Sequence, residues 1–158
     1  MKIKQLIDED FTNYKKTSML IGFSQCTFKC EKECGIKMCQ NAPLATSPII
    51  EIDVKKIVKR YLSNEYSQAI VAGGLEPFDT FDDLIELIKE IRSNGCFDDI
   101  VIYTGYYKNE ILEKIEQLKQ YLNIIIKFGR YIPNDKKHYD EVLGIELASM
   151  NQYAERIS

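Results

Sequence analysis

The apolar stretch TSMLIGFS at residues 17–24 runs directly into the cysteine peptide CTFKCEKECGIKMC at residues 26–39. A short, partly β-branched apolar run of this kind predicts a buried strand. Similar runs follow at residues 68–72, 99–103 and 123–128, with helical patterns between them. Strands that alternate with helices are typical of a parallel sheet with helical crossovers.

The helices between these strands are predicted from apolar residues at helical spacing. Asp53 can cap the first helix, Thr80 can cap a second helix over residues 81–92, and a third is predicted over residues 108–120. Because the strands are near-continuous runs of Ile and Val, we expect them to be buried on both faces. We therefore expect an α/β fold whose parallel sheet is open or partly rolled into an incomplete (β/α) barrel. Residues 129–158 have weaker periodicity, and no element is assigned to them.

Length and composition limit the class of protein. The 158 residues fit a single domain over residues 1–158, since domains usually contain about 100–200 residues. The 21 Lys and Arg face 24 Asp and Glu, and no stretch concentrates the basic residues, so nucleic-acid binding has no electrostatic support. The apolar runs are far shorter than the roughly 18 residues of a membrane helix, and the N-terminus is too acidic for a signal peptide. We therefore expect a cytoplasmic protein that binds neither nucleic acid nor membrane.

Cysteine usage is the first informative departure from an ordinary composition. Four of the five cysteines lie in one short peptide, and the fifth, Cys96, stands far away; the four are Cys26, Cys30, Cys34 and Cys39. Without a secretion signal, such a cluster is more often a metal site than a set of disulfides. The single histidine, His138, excludes sites that need several imidazoles, so sulfur would be the main ligand.

Two kinds of centre suit such a set of thiols. Thiolates select zinc or iron–sulfur clusters, and a cubane of four irons and four sulfides can accept ligands from one looping peptide. Structural zinc more often uses two close Cys pairs separated by a longer loop. The spacing therefore favours a [4Fe-4S] cluster, with zinc as the rival and metal-free thiols as the remaining alternative.

Other candidate residues follow the ends of the predicted strands, where chemistry gathers in parallel sheets. The segment GGLEP at residues 73–77 follows the second strand, TGY at residues 104–106 the third, and Gly129-Arg130 the fourth. A Gly-Gly pair allows close backbone approach, and Glu76 then places a carboxylate where a cationic amine would be a fitting ligand. The alternative is an ordinary turn with a solvated Glu76.

Together and in this order, the motifs resemble the activating subunit of anaerobic ribonucleotide reductase, a small member of the radical S-adenosylmethionine (SAM) superfamily. Members carry a strand followed by Cys-x3-Cys-x2-Cys and then an Asn. Cys26 and Cys30 match the first two cysteines, and CQN at residues 39–41 matches the third. Further similarities extend the resemblance over nearly the whole chain. GGLEP at 73–77 is similar to the motif Gly-Gly-Glu-Pro, and IYTGY at 102–106 is similar to a strand that ends in Tyr-Thr-Gly-Tyr. GRY at 129–131 resembles a Gly-x-Phe/Tyr turn, and SMNQ at 149–152 resembles a Ser-x-Asn-Gln ending.

The chain departs from this pattern at the third cysteine. Cys30 and Cys39 are separated by eight residues, and Cys34 lies inside the insertion. Cys39 is favoured as the third ligand because Gln-Asn follows it and because Met38 supplies the apolar residue that often precedes this ligand; Cys34 is the alternative. Leu75 also interrupts Gly-Gly-Glu-Pro, and Leu147-Ala148 replaces the Arg-Gly that usually precedes Ser-x-Asn-Gln.

The resemblance implies an incomplete (β/α) barrel of the radical SAM type, in which three thiolates hold a [4Fe-4S] cluster and one iron stays open for SAM. It implies that SAM is cleaved reductively to methionine and a 5′-deoxyadenosyl radical, which takes hydrogen from a glycine of a glycyl-radical enzyme such as anaerobic ribonucleotide reductase. A reduced flavodoxin or ferredoxin-type protein would donate the electron. Glu76 would hold the SAM amino group, with Gly73 and Gly74 beside the methionyl part and Thr104 on the cofactor's other side.

Two other functions stay open at this point. A non-catalytic zinc- or cluster-binding interaction module predicts no affinity for SAM. A radical SAM enzyme that acts on a peptide or small molecule is compatible with the altered cysteine loop and with the loss of Arg-Gly.

Overall fold

The computed structural model describes residues 1–37 and 39–158, and the described residues form nine strands, five α-helices and two short 3-10 helices. The strands are β1 (Lys2–Asp10), β2 (Ser18–Phe23), β3 (Ile50–Glu51), β4 (Ala69–Gly74), β5 (Asp99–Tyr103), β6 (Ile124–Phe128), β7 (His138–Asp140), β8 (Ile145–Leu147) and β9 (Tyr153–Arg156). The helices are α1 (Lys29–Cys34), α2 (Ala42–Thr46), α3 (Val54–Leu62), α4 (Phe81–Ser93) and α5 (Leu112–Leu118), and the 3-10 helices span Pro77–Thr80 and Lys108–Glu110.

Four parallel strands form the centre of a seven-stranded sheet with the order β3-β1-β2-β4-β5-β6-β9. Strands β2, β4, β5 and β6 pair in parallel, and α3, α4 and α5 lie in the successive connections between them. Each of the four begins and ends within two residues of its predicted bounds. Most of their apolar residues are buried because both faces of the sheet are covered, and Leu20 and Tyr103 are only partly buried.

Antiparallel strands flank this parallel centre on both sides. Strand β1 pairs antiparallel with both β2 and β3, and β9 pairs antiparallel with β6. Neither β1 nor β9 is predicted from the sequence, because both are only partly buried and carry charged residues. The incomplete barrel of the radical SAM type stays a prediction.

The two faces of the sheet are covered differently. Helices α3, α4 and α5 pack on the face that includes Ile70, Ile102 and Ile126. On the opposite face, the β7–β8 hairpin and the β1–β2 connection cover the strands towards their amino ends. The covering residues are the buried Tyr14, Leu143 and Leu147, which pack on Ala69, Val71, Val101 and Ile125. Since side chains alternate along a strand, Tyr103 and Lys127 stand on this second face, nearer the carboxyl ends.

The helix starts show where local signals succeed and fail. Asp53 caps α3 as predicted, because its Oδ1 accepts a hydrogen bond from Lys55 N at 2.8 Å. Thr80 occupies the N-cap position of α4 as predicted, but its side chain makes no capping hydrogen bond, and the chain enters α4 through the 3-10 helix Pro77–Thr80. The helix predicted over 108–120 is divided into a 3-10 turn and α5. No helix in the described part of the chain is long and apolar enough to span a membrane.

A buried carboxylate ties the amino end of β5 to its neighbours. Asp99 is 5% exposed; its Oδ2 accepts hydrogen bonds from Tyr14 at 3.0 Å and Lys16 at 2.6 Å, and its Oδ1 accepts one from Arg156 at 2.7 Å. Burial alone would raise the pKa of Asp99, but hydrogen bonds from Lys16, Arg156 and Tyr14 outweigh burial and lower the pKa from its ordinary 3.8. Ionised Asp99 therefore stabilises the fold.

Asp99→Asn is expected to lower the free energy of unfolding by about 2–3 kcal/mol, because two cations lose their shared anion. The melting temperature should fall by about 4–12 °C, since a domain of this size loses about 2–4 °C per kcal/mol. Because the folded-state pKa is lowered, this contribution is present above about pH 3.8 and is lost as the pH falls through the folded-state pKa. Thermal melts at pH 7 and pH 3 check both statements, with Asp82→Asn on the exposed side of α4 as the control. Equal melting temperatures for Asp99→Asn and the unchanged protein at pH 7 would contradict the stabilising role.

Candidate metal centre

A cavity of about 630 Å³ opens at the carboxyl ends of the parallel strands, on the face that carries Tyr103 and Lys127. Its lower wall comes from β8 and from the side chains of Leu20 and Val71. The structure brings most of the predicted site residues together around this cavity, namely Cys26, Cys30, Cys39, Gly73, Gly74, Glu76 and Thr104. The alternative ligand Cys34 is exposed and is not among the described residues that line it.

The cysteine peptide turns back over the strand ends. Cys26 follows β2, and its Sγ accepts a hydrogen bond from Phe28 N at 3.2 Å. Phe28 has a left-handed φ of 52°, which turns the chain into α1, where Cys30 is the second residue. The Cys39 amide donates to Glu31 Oε1 at 3.1 Å, so the far end of the loop is tied to α1. Met38, which supports Cys39 in the sequence, lies outside the described residues.

The surroundings of the thiols fit a metal cluster. Burial raises the pKa of Cys26 to about 12 and also raises the pKa of Cys30. The positive charge of a bound metal is what makes such thiols ionise. A Cβ at Gly105 would lie 3.2 Å from Cys30 Sγ, so the glycine leaves room for this thiol. In the part of the chain that the structure describes, no group of three or more His, Cys, Asp or Glu side chains lies close enough together to hold a single metal ion.

Glu76 is a buried and fully oriented carboxylate. It is 6% exposed, and its Oε1 accepts hydrogen bonds from Phe78 N at 3.1 Å and Thr104 Oγ1 at 2.8 Å, while Oε2 accepts one from Gly105 N at 2.9 Å. Burial raises the pKa of Glu76 to about 7, against the opposing effect of these hydrogen bonds. The alternative of a solvated turn residue is therefore wrong. Thr104 acts on Glu76 as well as lining the cavity.

The Gly-Gly turn requires glycine at its second position. Gly74 has a φ of 80°, and a Cβ there would lie 2.7 Å from Gly22 Cα. At Gly73 a Cβ would make only ordinary contacts, so this residue keeps the cavity wall open without being required by packing. Asn41 Nδ2 donates to the Gly74 carbonyl, which joins the peptide after Cys39 to the turn.

Lys127 is not predicted as a site residue, although it lines the cavity. It is 6% exposed, and its Nζ donates to Gly129 O at 2.9 Å. Burial lowers the pKa of Lys127 to about 8. The sequence feature that indicates a role for Lys127 is its single charge inside the otherwise apolar strand β6, Ile124–Phe128.

The Ser-x-Asn-Gln segment holds the turn that follows β6. Asn151 Nδ2 donates to Arg130 O at 2.9 Å, and Gln152 Nε2 lies 3.4 Å from Gly129 O. The Ser149 hydroxyl bonds with the Ile132 backbone. This segment and the Gly129-Arg130 turn, which lie apart in the sequence, therefore form one unit beside the cavity.

Comparison with known proteins agrees with the thiol chemistry. A family model described as a 4Fe-4S single cluster domain matches residues 16–152, which include the cysteine peptide and every strand from β2 to β8. No curated protein and no solved structure matches the chain significantly. The predicted [4Fe-4S] cluster is thereby confirmed as the cofactor of this domain. The match covers far more than half of the sequence, and the chain belongs to the 4Fe-4S single cluster domain family.

Proposed function

We propose that the protein is a radical SAM enzyme that cleaves SAM reductively and uses the resulting radical to take hydrogen from a glycine of a partner enzyme. One observation carries the proposal. Buried Glu76 and buried Lys127 line the same cavity as Cys26, Cys30 and Cys39. A carboxylate and an ammonium group beside a cluster site suit a ligand that carries both an amino and a carboxylate group.

The methionyl part of SAM is such a ligand. The Glu76 oxygens accept three hydrogen bonds within the protein, and a carboxylate has about four acceptor sites, so one site is left for an ammonium group. The Lys127 ammonium has three N–H groups, of which one bonds to Gly129 O. Charge-assisted hydrogen bonds between buried groups are strong, so these two residues would hold the ligand in one orientation.

Each part of the site then has a role. Cys26, Cys30 and Cys39 would hold the cluster. When bound, the cluster would supply the electron that breaks a sulfonium bond of SAM, which gives methionine and a 5′-deoxyadenosyl radical. The Gly73 and Gly74 backbone would lie against the methionyl chain. The apolar cavity wall would keep water away from the radical.

The proposed partner is a glycyl-radical enzyme such as anaerobic ribonucleotide reductase, and the proposed electron donor is a reduced flavodoxin or ferredoxin-type protein. Support comes from the resemblance of the segments at 73–77, 102–106 and 149–152 to motifs of the activating subunit. An incomplete barrel would leave its side open for a glycine-bearing loop of the partner.

The anaerobically reconstituted protein, given dithionite and SAM, is expected to release 5′-deoxyadenosine and methionine in equal amounts. Chromatography with mass detection measures both products, and omission of dithionite is the control. An intact cluster that yields no 5′-deoxyadenosine would contradict the proposal and favour a non-catalytic cluster module. Stoichiometric zinc without inorganic sulfide would contradict the cluster itself.

The partner has its own test. Anaerobic mixing with SAM, dithionite and an anaerobic ribonucleotide reductase from the same organism is expected to give the electron paramagnetic resonance doublet of a glycyl radical on the reductase. If 5′-deoxyadenosine forms and the doublet does not, the reductase is not the substrate, which favours another glycyl-radical enzyme, a peptide or a small molecule.

A further inference from the structure

The insertion between Cys30 and Cys39 is held by two acidic residues of α1. Glu31 Oε1 accepts a hydrogen bond from the Cys39 amide at 3.1 Å. Glu33 Oε1 lies 3.0 Å from Arg130 Nη2. The long cysteine loop is therefore tied at one side to its own last cysteine and at the other side to the end of β6.

Arg130 is buried, and several contacts hold its side chain in place. It is 3% exposed, and its two terminal nitrogens donate to Glu110 at 2.7 and 2.8 Å. Its guanidinium lies 4.6 Å from the centre of the Tyr107 ring. The pair with Arg130 lowers the pKa of Glu110 to about 2, so the carboxylate is ionised at neutral pH. Arg130 thus has one fixed orientation.

This orientation brings Arg130 close to a cluster ligand. A Cβ placed on Gly105 would lie 3.2 Å from Cys30 Sγ and 4.0 Å from Arg130 Cγ, so the thiol and the arginine stem border the same small space. Arg130 Nε is buried and has no hydrogen-bond acceptor among the described residues. A buried N–H without an acceptor is unfavourable, and sulfur of a cluster bound at Cys30 is an acceptor of the right kind.

We propose that Arg130 is a positioning residue of the iron–sulfur centre, which holds the cysteine loop through Glu33 and makes the bound cluster easier to reduce through its charge beside Cys30. The proposal rests on the cluster and is independent of SAM cleavage. Reduction adds one negative charge to the centre, and a nearby cation stabilises that charge. The Glu33 and Glu110 carboxylates, which pair with Arg130, act in the opposite direction.

The opposite charges of Arg130 and Glu33 allow an experiment that distinguishes an electrostatic effect on the cluster from a purely structural role. Arg130→Gln and Glu33→Gln both break the contact between the loop and β6, so both should speed the release of iron to a chelator. Their effects on the reduction potential should have opposite signs, because one removes a positive charge and the other a negative charge. A purely structural role of this contact predicts no such reversal of sign.

The experiment uses the anaerobically reconstituted protein without SAM, so failure of the proposed function leaves it unaffected. A dithionite titration followed by electron paramagnetic resonance gives the midpoint potential. Reduction of Arg130→Gln is expected to be about tenfold less favourable, which corresponds to a midpoint about 59 mV more negative for a one-electron couple. Arg130→Lys, which keeps the positive charge but not the paired hydrogen bonds, should shift the potential less than Arg130→Gln does. Glu33→Gln should move the potential to a more positive value.

Arg156→Gln is the matched control, because Arg156 pairs with Asp99 at the amino end of β5, away from the cysteine loop. It should leave the cluster potential unchanged. If Arg130→Gln does not retain a cluster, the shift in Glu33→Gln decides the matter. A potential that is unchanged or more negative in Glu33→Gln would overturn the proposal, as would an unchanged potential in Arg130→Gln.

Discussion

Replacing Cys26, Cys30 or Cys39 with Ala is expected to abolish the cluster, whereas Cys34→Ala is expected to retain it. The first three thiols line one cavity, and Cys34 lies exposed at the end of α1. A cubane that keeps one iron open for a ligand needs three protein thiolates, and loss of one leaves two. Iron and sulfide content and the visible absorption of the anaerobically reconstituted variants measure the outcome.

Cys96→Ala is the control for these variants. Cys96 is half-buried beyond the end of α4, where its thiol lies 3.5 Å from Asp98 Oδ2, and it is expected to have no influence on the cluster. Loss of the cluster in Cys34→Ala together with its retention in Cys39→Ala would show that the third ligand is misassigned. The match of Asn41 to the family pattern would then be coincidental.

The central strands are predictable because burial on both faces leaves a direct mark on the sequence. Strand β6, for example, contains three successive isoleucines that are completely buried. The edge strands leave no such mark, since β1 mixes charged and apolar residues along nine positions and β9 has only four residues. Their pairing is decided by the exposed edges of β2 and β6, which local sequence does not describe.

The same distinction holds for the candidate site. The residues at the strand ends can be expected to meet because carboxyl ends of parallel strands share one edge. Lys127 and Arg130 are harder to predict, since a single charge does not reveal whether it is buried. The burial of Arg130 depends on Glu110 and Glu33, which approach it from two distant segments of the chain. Tertiary contacts of this kind have no local pattern.

Glu76→Ala is expected to weaken SAM binding about ten- to hundredfold while the cluster absorption stays intact. A charge-assisted hydrogen bond to a buried carboxylate contributes roughly 1.5–3 kcal/mol, which corresponds to that range of affinity. The three donors that hold Glu76 fix its carboxylate before a ligand arrives, so little of this energy is lost in ordering the side chain. Anaerobic titration calorimetry on the reconstituted protein measures the change.

Two further variants separate ligand binding from general damage to the site. Glu86→Ala removes an exposed carboxylate on α4 and should leave SAM affinity unchanged. Lys127→Met removes the cation that would meet the ligand carboxylate and should weaken SAM by a similar factor. Methionine carries the same ammonium and carboxylate groups, so it should compete with SAM in the unchanged protein and lose affinity in both cavity variants. Unchanged SAM affinity in Glu76→Ala with an intact cluster would show that the ammonium group binds elsewhere.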